Sequence, residues 1–440
     1  MQWTEIVEVP IKAINLKVGM YVHRLDRPWL GTSFPLQGCQ VRSDEDVATL
    51  CGFAEVVYID EARSIYAGKR SRPNYSFLTR LVDPEALGRL SRLGYASMRG
   101  EDRNSPAPVH YPPAVELAQE LPRCLNAWKR TQQLVSRSIA RAKTGKPLVL
   151  DDIDVEVEPM VESVVRSPDA AMWLTASRRQ QPLPYSVTHP LNCCAMALVC
   201  GRFLGFPPDI LTSVAKGALF MDIGMWLLGR NYQLVRESLD PAGTREMQEH
   251  VLRGAEYLRT SGFLDFDATL CVLHHHERHD GAGYPRGLRG AKVSLMGQIL
   301  HLADTFDALT SRRAHRSEET SGSAQRILYK ERDASVPAEA TDAFFQSLGI
   351  YPTGTLVELS NGSRAVVSGQ QPASRLYPKL IVLTRSDGSA LESHSEVDSR
   401  DLIQAVPSVR IASTMARLAT PIPLDRVELR KPDQIVAAHS

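Results

Sequence analysis

The chain has no surplus of either charge. Lys and Arg number 51 against 50 for Asp and Glu, a formal net charge of +1 over 440 residues. That balance offers no field for a nucleic-acid polymer or a membrane surface. None of the seven cysteines falls in a CxxC pair, and Cys193 and Cys194 are direct neighbours, which rarely bridge. Such scattered usage fits a reducing cytoplasm and not a disulfide framework. The opening MQWTEIVEVPIKAINLKVGMYVHR lacks a long apolar core behind a basic end, so it does not read as a signal peptide. No apolar run reaches the ~18 residues of a membrane helix. Internal repeats and low-complexity tracts are also missing. A soluble cytoplasmic protein is expected.

What remains is an ordinary globular composition, 43% hydrophobic and 23% charged, in a chain long enough for two or three domains. VEVPIKAI, MYVHRL, CQVRS and AEVVYID are short β-branched segments parted by turn residues, and Ser43-Asp44-Glu45-Asp46 starts a helix. They predict a mixed α/β N-terminal domain over 1–135, regulatory in role. RGEDRNSPAPVHYPP, polar and rich in proline, reads as a linker. From Val115 the apolar period becomes helical. Helices are expected over 187–205, 208–227, 243–260, 264–277 and 293–312, within an all-α core over 136–350. GTLVELSNGSRAVVSG carries a hairpin signal at Asn361-Gly362, and KLIVLTRSDGS adds a third strand. This predicts a small β-rich extension over 351–405 and a loosely structured tail over 406–440. The fold class is therefore multidomain: α/β, then all-α, then β.

Seven of the twelve histidines lie between His189 and His301, and three stand in a row in HHHERHDGAGYP, His274 to Pro285. Asp222 lies in the apolar stretch GALFMDIGMWLLG and Asp304 in ILHLADTFDAL. A carboxylate buried among apolar helices needs a compensating partner. The economical reading is a divalent metal on His189, Asp222, His250, His275, His276 and Asp304, gathered in a helical bundle. His301 reads as a hydrogen-bonded core residue, and His274 and His279 as supporting or loop residues. Gly283, Tyr284 and Pro285 form a tight turn beside that site. Arg312, Arg313 and Arg316 follow Asp304, and their guanidinium groups suit phosphate oxygens.

HHERHDGAGYP followed by ILHLADTFDALTSRRAHR resembles the HD-GYP family of metal-dependent phosphohydrolases. The match extends over roughly residues 150–350. LKVGMYVHRLDRPWLG with VRSDEDV is similar to an uncharacterised domain that precedes such cores in bacteria. The resemblance implies an HD-type helical core and a divalent metal cofactor, iron or manganese. It implies cyclic di-GMP as ligand, hydrolysed to linear pGpG and GMP. It assigns metal ligation to His189, Asp222, His250, His275, His276 and Asp304, with Asp222 also the catalytic carboxylate. Substrate contacts fall to Gly283, Tyr284, Pro285, Arg313 and Arg316.

The chain departs from the family pattern at three positions. Met221 stands where the family has the histidine of its His-Asp pair, Met225 where it has a lysine, and Tyr185 where some members have a glutamate. Methionine is a neutral, soft donor that does not suit iron or manganese. One metal site is expected to persist and a second to be weakened. The expected function is a degenerate HD-GYP signalling protein that binds nucleotide or a protein partner with weak or no hydrolysis. The alternative is an active metal-dependent cyclic di-GMP phosphodiesterase. A signalling protein and a second copy of the chain, as a homodimer, are the further partners considered. No nucleic-acid polymer and no membrane are expected.

Overall fold

A computed structural model describes residues 8–60 except 19, 26–38 and 42. It also describes 108–311 except 113, 179–183, 231 and 233–238, and 318–415 except 372–375, 392–393, 395 and 406–408. Arg312, Arg313 and Arg316 lie outside these residues, as does most of the expected linker.

The chain divides into two units, Met1–Arg80 and Leu81–Ser440. In the first, strands β1 (Glu8–Lys12), β2 (Tyr21–Leu25), β3 (Cys39–Gln40) and β4 (Val56–Asp60) form an antiparallel sheet in the order β1-β4-β2-β3. Helix α1 (Asp44–Phe53) starts at a reciprocal cap: Ser43 Oγ accepts from the Asp46 amide, and Asp46 accepts from the Ser43 amide. Val22, Leu25, Val41, Leu50, Val57 and Ile59 are buried together beneath it.

The second unit begins with α2 (Leu117–Lys143), a 27-residue helix. The boundary expected at 135 falls inside this helix, which packs on α3 (Ile153–Arg166) and α4 (Pro168–Arg178). The centre is α5 (Tyr185–Phe203), buried along nearly its whole length. Around it stand α2, α3, α4, α6 (Pro208–Phe220), α10 (Leu295–Thr310) and α12 (Ala338–Leu348). Helices α7 (Pro241–Gln248), α8 (His250–Thr260), α9 (Phe266–His274) and α11 (Ser321–Lys330) complete the body. By length and composition the stretch Pro208–Leu227 could cross a membrane, contrary to the expected lack of such a run, but 61% of it is buried inside this body.

Two expected helices are broken, both at ligand positions. The expected 208–227 helix stops at Phe220 and resumes as a 3-10 turn over Ile223–Leu227, so Asp222 sits at the break and not within the helix. The expected 243–260 helix divides at Glu249, which places His250 at the first position of α8.

The C-terminal strands β5 (Leu356–Leu359), β6 (Arg364–Gly369), β7 (Lys379–Val382), β8 (Glu396–Asp398) and β9 (Ile411–Met415) form one antiparallel sheet, ordered β8-β7-β6-β5-β9. Gly362 takes a φ of 87° in the β5–β6 turn, as the Asn-Gly signal requires. The expected loose tail thus contributes β9, while 416–440 lie outside the described residues. The sheet lies on the helical body: Leu356, Val366, Ile381 and Leu383 pack with Trp173 of α4 and with Leu117 and Leu121 of α2.

Asp169 of α4 ties the two together. Thr353 Oγ1 donates to it at 2.6 Å and the Gln370 amide at 3.2 Å. Burial outweighs these donors and pushes its pKa up to about 6. The unfolded value is about 3.9, so the native state binds the proton more tightly. Stability from this group is full below about pH 4 and is lost as pH rises through about 6. Asp169→Asn removes that loss. Between about pH 4 and 7 its melting temperature should move upward relative to the natural chain. Scanning calorimetry of both proteins checks this, and a constant or opposite difference refutes it.

Candidate metal centre

The site is assembled where five elements meet: α5, the break after α6, the start of α8, the turn after α9, and α10. His250 and His275 both spend their Nδ1 proton on backbone carbonyls, Met247 O at 2.7 Å and Val272 O at 2.7 Å. A carbonyl only accepts, so the free lone pair of each ring is on Nε2. Those two Nε2 atoms face each other at 3.4 Å. Asp222 Oδ1 lies 3.4 Å from the first and 3.9 Å from the second. With both rings in their Nδ1–H form, three acceptors are aimed at one point, and they repel unless a cation or a proton joins them. Burial, and then neighbouring His250, lower the His275 imidazole to about 4, which keeps it neutral and ready to ligate. Burial and then His275 hold His276 well below the usual histidine range.

Donor atoms of Asp222, His250, His275 and His276 all lie within 4.8 Å of one another. This set of three imidazoles and one carboxylate, with His250 and His275 buried and Asp222 and His276 partly so, suits a borderline divalent ion. The second half is built on His189, whose Nε2 is 3.1 Å from Asp304 Oδ1 and 3.6 Å from Asp222 Oδ2. Asp222 therefore turns one oxygen to each half. Asp304 Oδ2 reaches back to His276 Nδ1 at 3.8 Å. Burial alone would raise Asp304, but the hydrogen bond with His189 and the adjacent His276 hold its carboxyl well below the usual range. All six expected ligands thus converge. Met221 is 0% exposed, packed in the core immediately before Asp222.

The turn residues join the same site. Glu277, fully buried, accepts the amides of Arg286 at 2.7 Å and Leu288 at 2.8 Å and so shapes the loop between them. A Cβ on Gly283 would lie 2.4 Å from both the Arg278 nitrogen and the His276 oxygen, so only glycine fits there. That close approach lets the Tyr284 ring lie 4.6 Å from His276 at 30°. The Tyr284–Pro285 peptide is cis. Burial first, and then Asp304 and Asp222, raise the Tyr284 phenol, so it stays protonated. His301 donates to the His275 carbonyl at 3.1 Å, and His274 bonds Ser294 at 3.1 Å.

Several supporting residues had no sequence signal. Gly224 and Gly254 let the 3-10 turn meet α8: a Cβ on Gly224 would sit 1.9 Å from the His250 oxygen. Asp307 meets His189 Nδ1 at 2.7 Å. Tyr185 stacks on His189 with centroids 4.8 Å apart and reaches Nδ1 at 2.9 Å.

The chain is similar to known proteins along much of its length. A family described as HD domain matches residues 167–336, and a domain of unknown function, DUF3391, matches residues 8–153. Cyclic di-GMP phosphodiesterase PA4108 of Pseudomonas aeruginosa is 27% identical over 374 residues, 84% of this chain and 84% of that protein. A probable cyclic di-GMP phosphodiesterase of Vibrio cholerae is 27% identical over 220 residues, 46% of this chain and 50% of its own length. The 3'3'-cGAMP-specific phosphodiesterase 3 of the same organism is 30% identical over 174 residues, 38% of this chain and 36% of its own. The chain thus carries an HD domain with a DUF3391 domain ahead of it, and its homologues include cyclic di-GMP phosphodiesterases of the HD-GYP family.

Proposed function

We propose that this chain is a degenerate HD-GYP signalling protein. It holds one divalent ion, iron or manganese, on Asp222, His250, His275 and His276, binds cyclic di-GMP, and hydrolyses it weakly or not at all. The observation that carries the reading is the contrast between the two halves. One gathers four donors within 4.8 Å. The other has His189 with Asp304 and a share of Asp222, and a fully buried Met221 at the position of the family's imidazole.

A divalent ion held there supplies Lewis-acid stabilisation of phosphoryl charge. The chain's own residues do the rest. His250 and His275 turn their Nε2 atoms to the ion because their Nδ1 protons are fixed on carbonyls. Glu277 and Gly283 hold the loop so that Tyr284, with Pro285, walls the ligand side of His276. Met225, half-buried three residues after Asp222, adds no charge where a lysine would stabilise the transition state. Arg313 and Arg316 are kept in the proposal as phosphate contacts on their sequence positions alone. The binding role also admits a signalling-protein partner or a second copy of the chain. All seven cysteines are free, which suits a cytoplasmic setting.

A second reading, an active phosphodiesterase, draws support from Asp222, whose two oxygens still face both halves. The two are separated by incubating Mn-loaded protein with cyclic di-GMP while measuring binding by calorimetry and linear product by chromatography. Saturable binding with little or no pGpG is expected. Efficient release of pGpG selects the enzyme, and no binding at all removes both.

A further inference from the structure

We infer that Asp307 is a positioning residue for His189, holding the ring in its Nδ1–H form so that the Nε2 lone pair points at Asp222 and Asp304. This rests on the metal reading above and concerns its weaker half. Asp307 is 0% exposed, and a buried carboxylate persists only when its oxygens are satisfied. Its Oδ2 meets His189 Nδ1 at 2.7 Å. Its Oδ1 accepts from Asn192 Nδ2 at 2.8 Å and from Ser311 Oγ at 3.1 Å. Asn192 lies one turn beyond His189 on α5, and Ser311 follows α10, so the carboxylate is fixed from both helices. The Tyr185 ring stacks at 20° on the imidazole and stops it from turning. Oδ1 already accepts two hydrogen bonds and Oδ2 faces the ring nitrogen, so the arrangement suits a proton carried on Nδ1. Once a cation displaces the Nε2 proton that bonds Asp304, the lone pair is left on Nε2, 3.1 Å from Asp304 and 3.6 Å from Asp222.

The clamp matters more here than it would with the full ligand set. With Met221 in the core, His189 is the one imidazole that this half has among the described residues. Its tautomer decides whether the half offers nitrogen or a proton to a cation.

Two substitutions separate this role from packing. Asp307→Asn keeps an oxygen for Asn192 and Ser311 but sets an NH2 group against Nδ1. The ring proton is driven to Nε2, where it blocks ligation. Asp307→Ala merely frees the ring. Mn2+ is titrated into the full chain without nucleotide, and free ion is counted by electron paramagnetic resonance. The natural chain should show a tight and a weaker class of site. In Asp307→Asn the weaker class should fall about 10–100-fold in affinity, and in Asp307→Ala by less. Melting temperatures of the metal-free variants should order the other way, with Asn above Ala. A packing role makes Ala worse on both measures, and that result overturns the inference. So does a weaker class that ignores both substitutions, or a natural chain that lacks one. Loss of the tight class from the natural chain would instead remove the metal reading itself, so the two failures are distinguishable.

Discussion

Met221→His combined with Met225→Lys is expected to raise cyclic di-GMP turnover by about 10²–10³-fold, the scale at which one preorganised charge at a reacting centre acts. The two changes do different things. Met221 lies at the end of α6 beside Asp222, with no exposed surface, so an imidazole there enters the half that holds His189 and Asp304. Met225 stands at the far side of the break, half-buried, with its amide bonded to the Asp222 carbonyl at 3.0 Å. A lysine there places a cation next to the metal centre. The single variants should divide the gain: Met221→His in metal affinity, Met225→Lys in rate at saturating metal. A buried histidine without a partner is costly, so Met221→His should also melt earlier without metal and recover when Mn2+ is added. Product chromatography and thermal melts of the four proteins decide it. A natural chain as fast as the double variant would show that six ligands suffice and that the methionines are neutral replacements.

The second large effect is expected at Gly224. Its hypothetical Cβ would lie 1.9 Å from the His250 oxygen and 2.5 Å from the Gly254 nitrogen, both backbone atoms that cannot swing aside. Gly224→Ala must therefore push the 3-10 turn from α8. Overpacking of this kind costs about 1–3 kcal/mol. The functional cost should be larger than the loss of stability, because the turn carries Asp222 and α8 carries His250, now 3.4 Å apart. Mn2+ affinity of the tight site should fall at least about tenfold, as when a supporting residue of a metal site is lost. Gly52→Ala, with nothing within 4 Å of its Cβ, is the control and should change neither property. Equal metal affinity in Gly224→Ala and the natural chain would refute the close approach.

These examples mark what a linear chain discloses. Three histidines and a carboxylate in HHHE cannot be packed cheaply, so their concentration alone betrays a site. The Ser43 cap and the Asn361-Gly362 turn were also legible, because both are local. Asp222 and His250 were found, but their settings were not. Each lies at a helix break that the apolar period runs straight through, since Phe220, Ile223 and Val251 are all buried on either side. Asp307 carried no signal, because an acid one turn after another on a helix reads as a wet face until a second helix is brought against it. Gly224 and Gly254 are separated by thirty residues and acquire meaning only where their backbones touch. The boundary expected at 135 lies inside α2, which carries Pro122 in its body, so the helical period that starts near Val115 was the better local marker.

The strands laid on α4 and α2 bear on how this protein can be cut or recombined. Trp173 is covered by Leu356, Val366, Ile381 and Leu383, and Asp169 takes donors from Thr353 and Gln370. A chain ended after Leu348 would open that apolar face to water and strand a carboxylate without its donors. The helical body and the strands behind it therefore behave as one cooperative folding unit, and the strands are not a module that can be removed or exchanged.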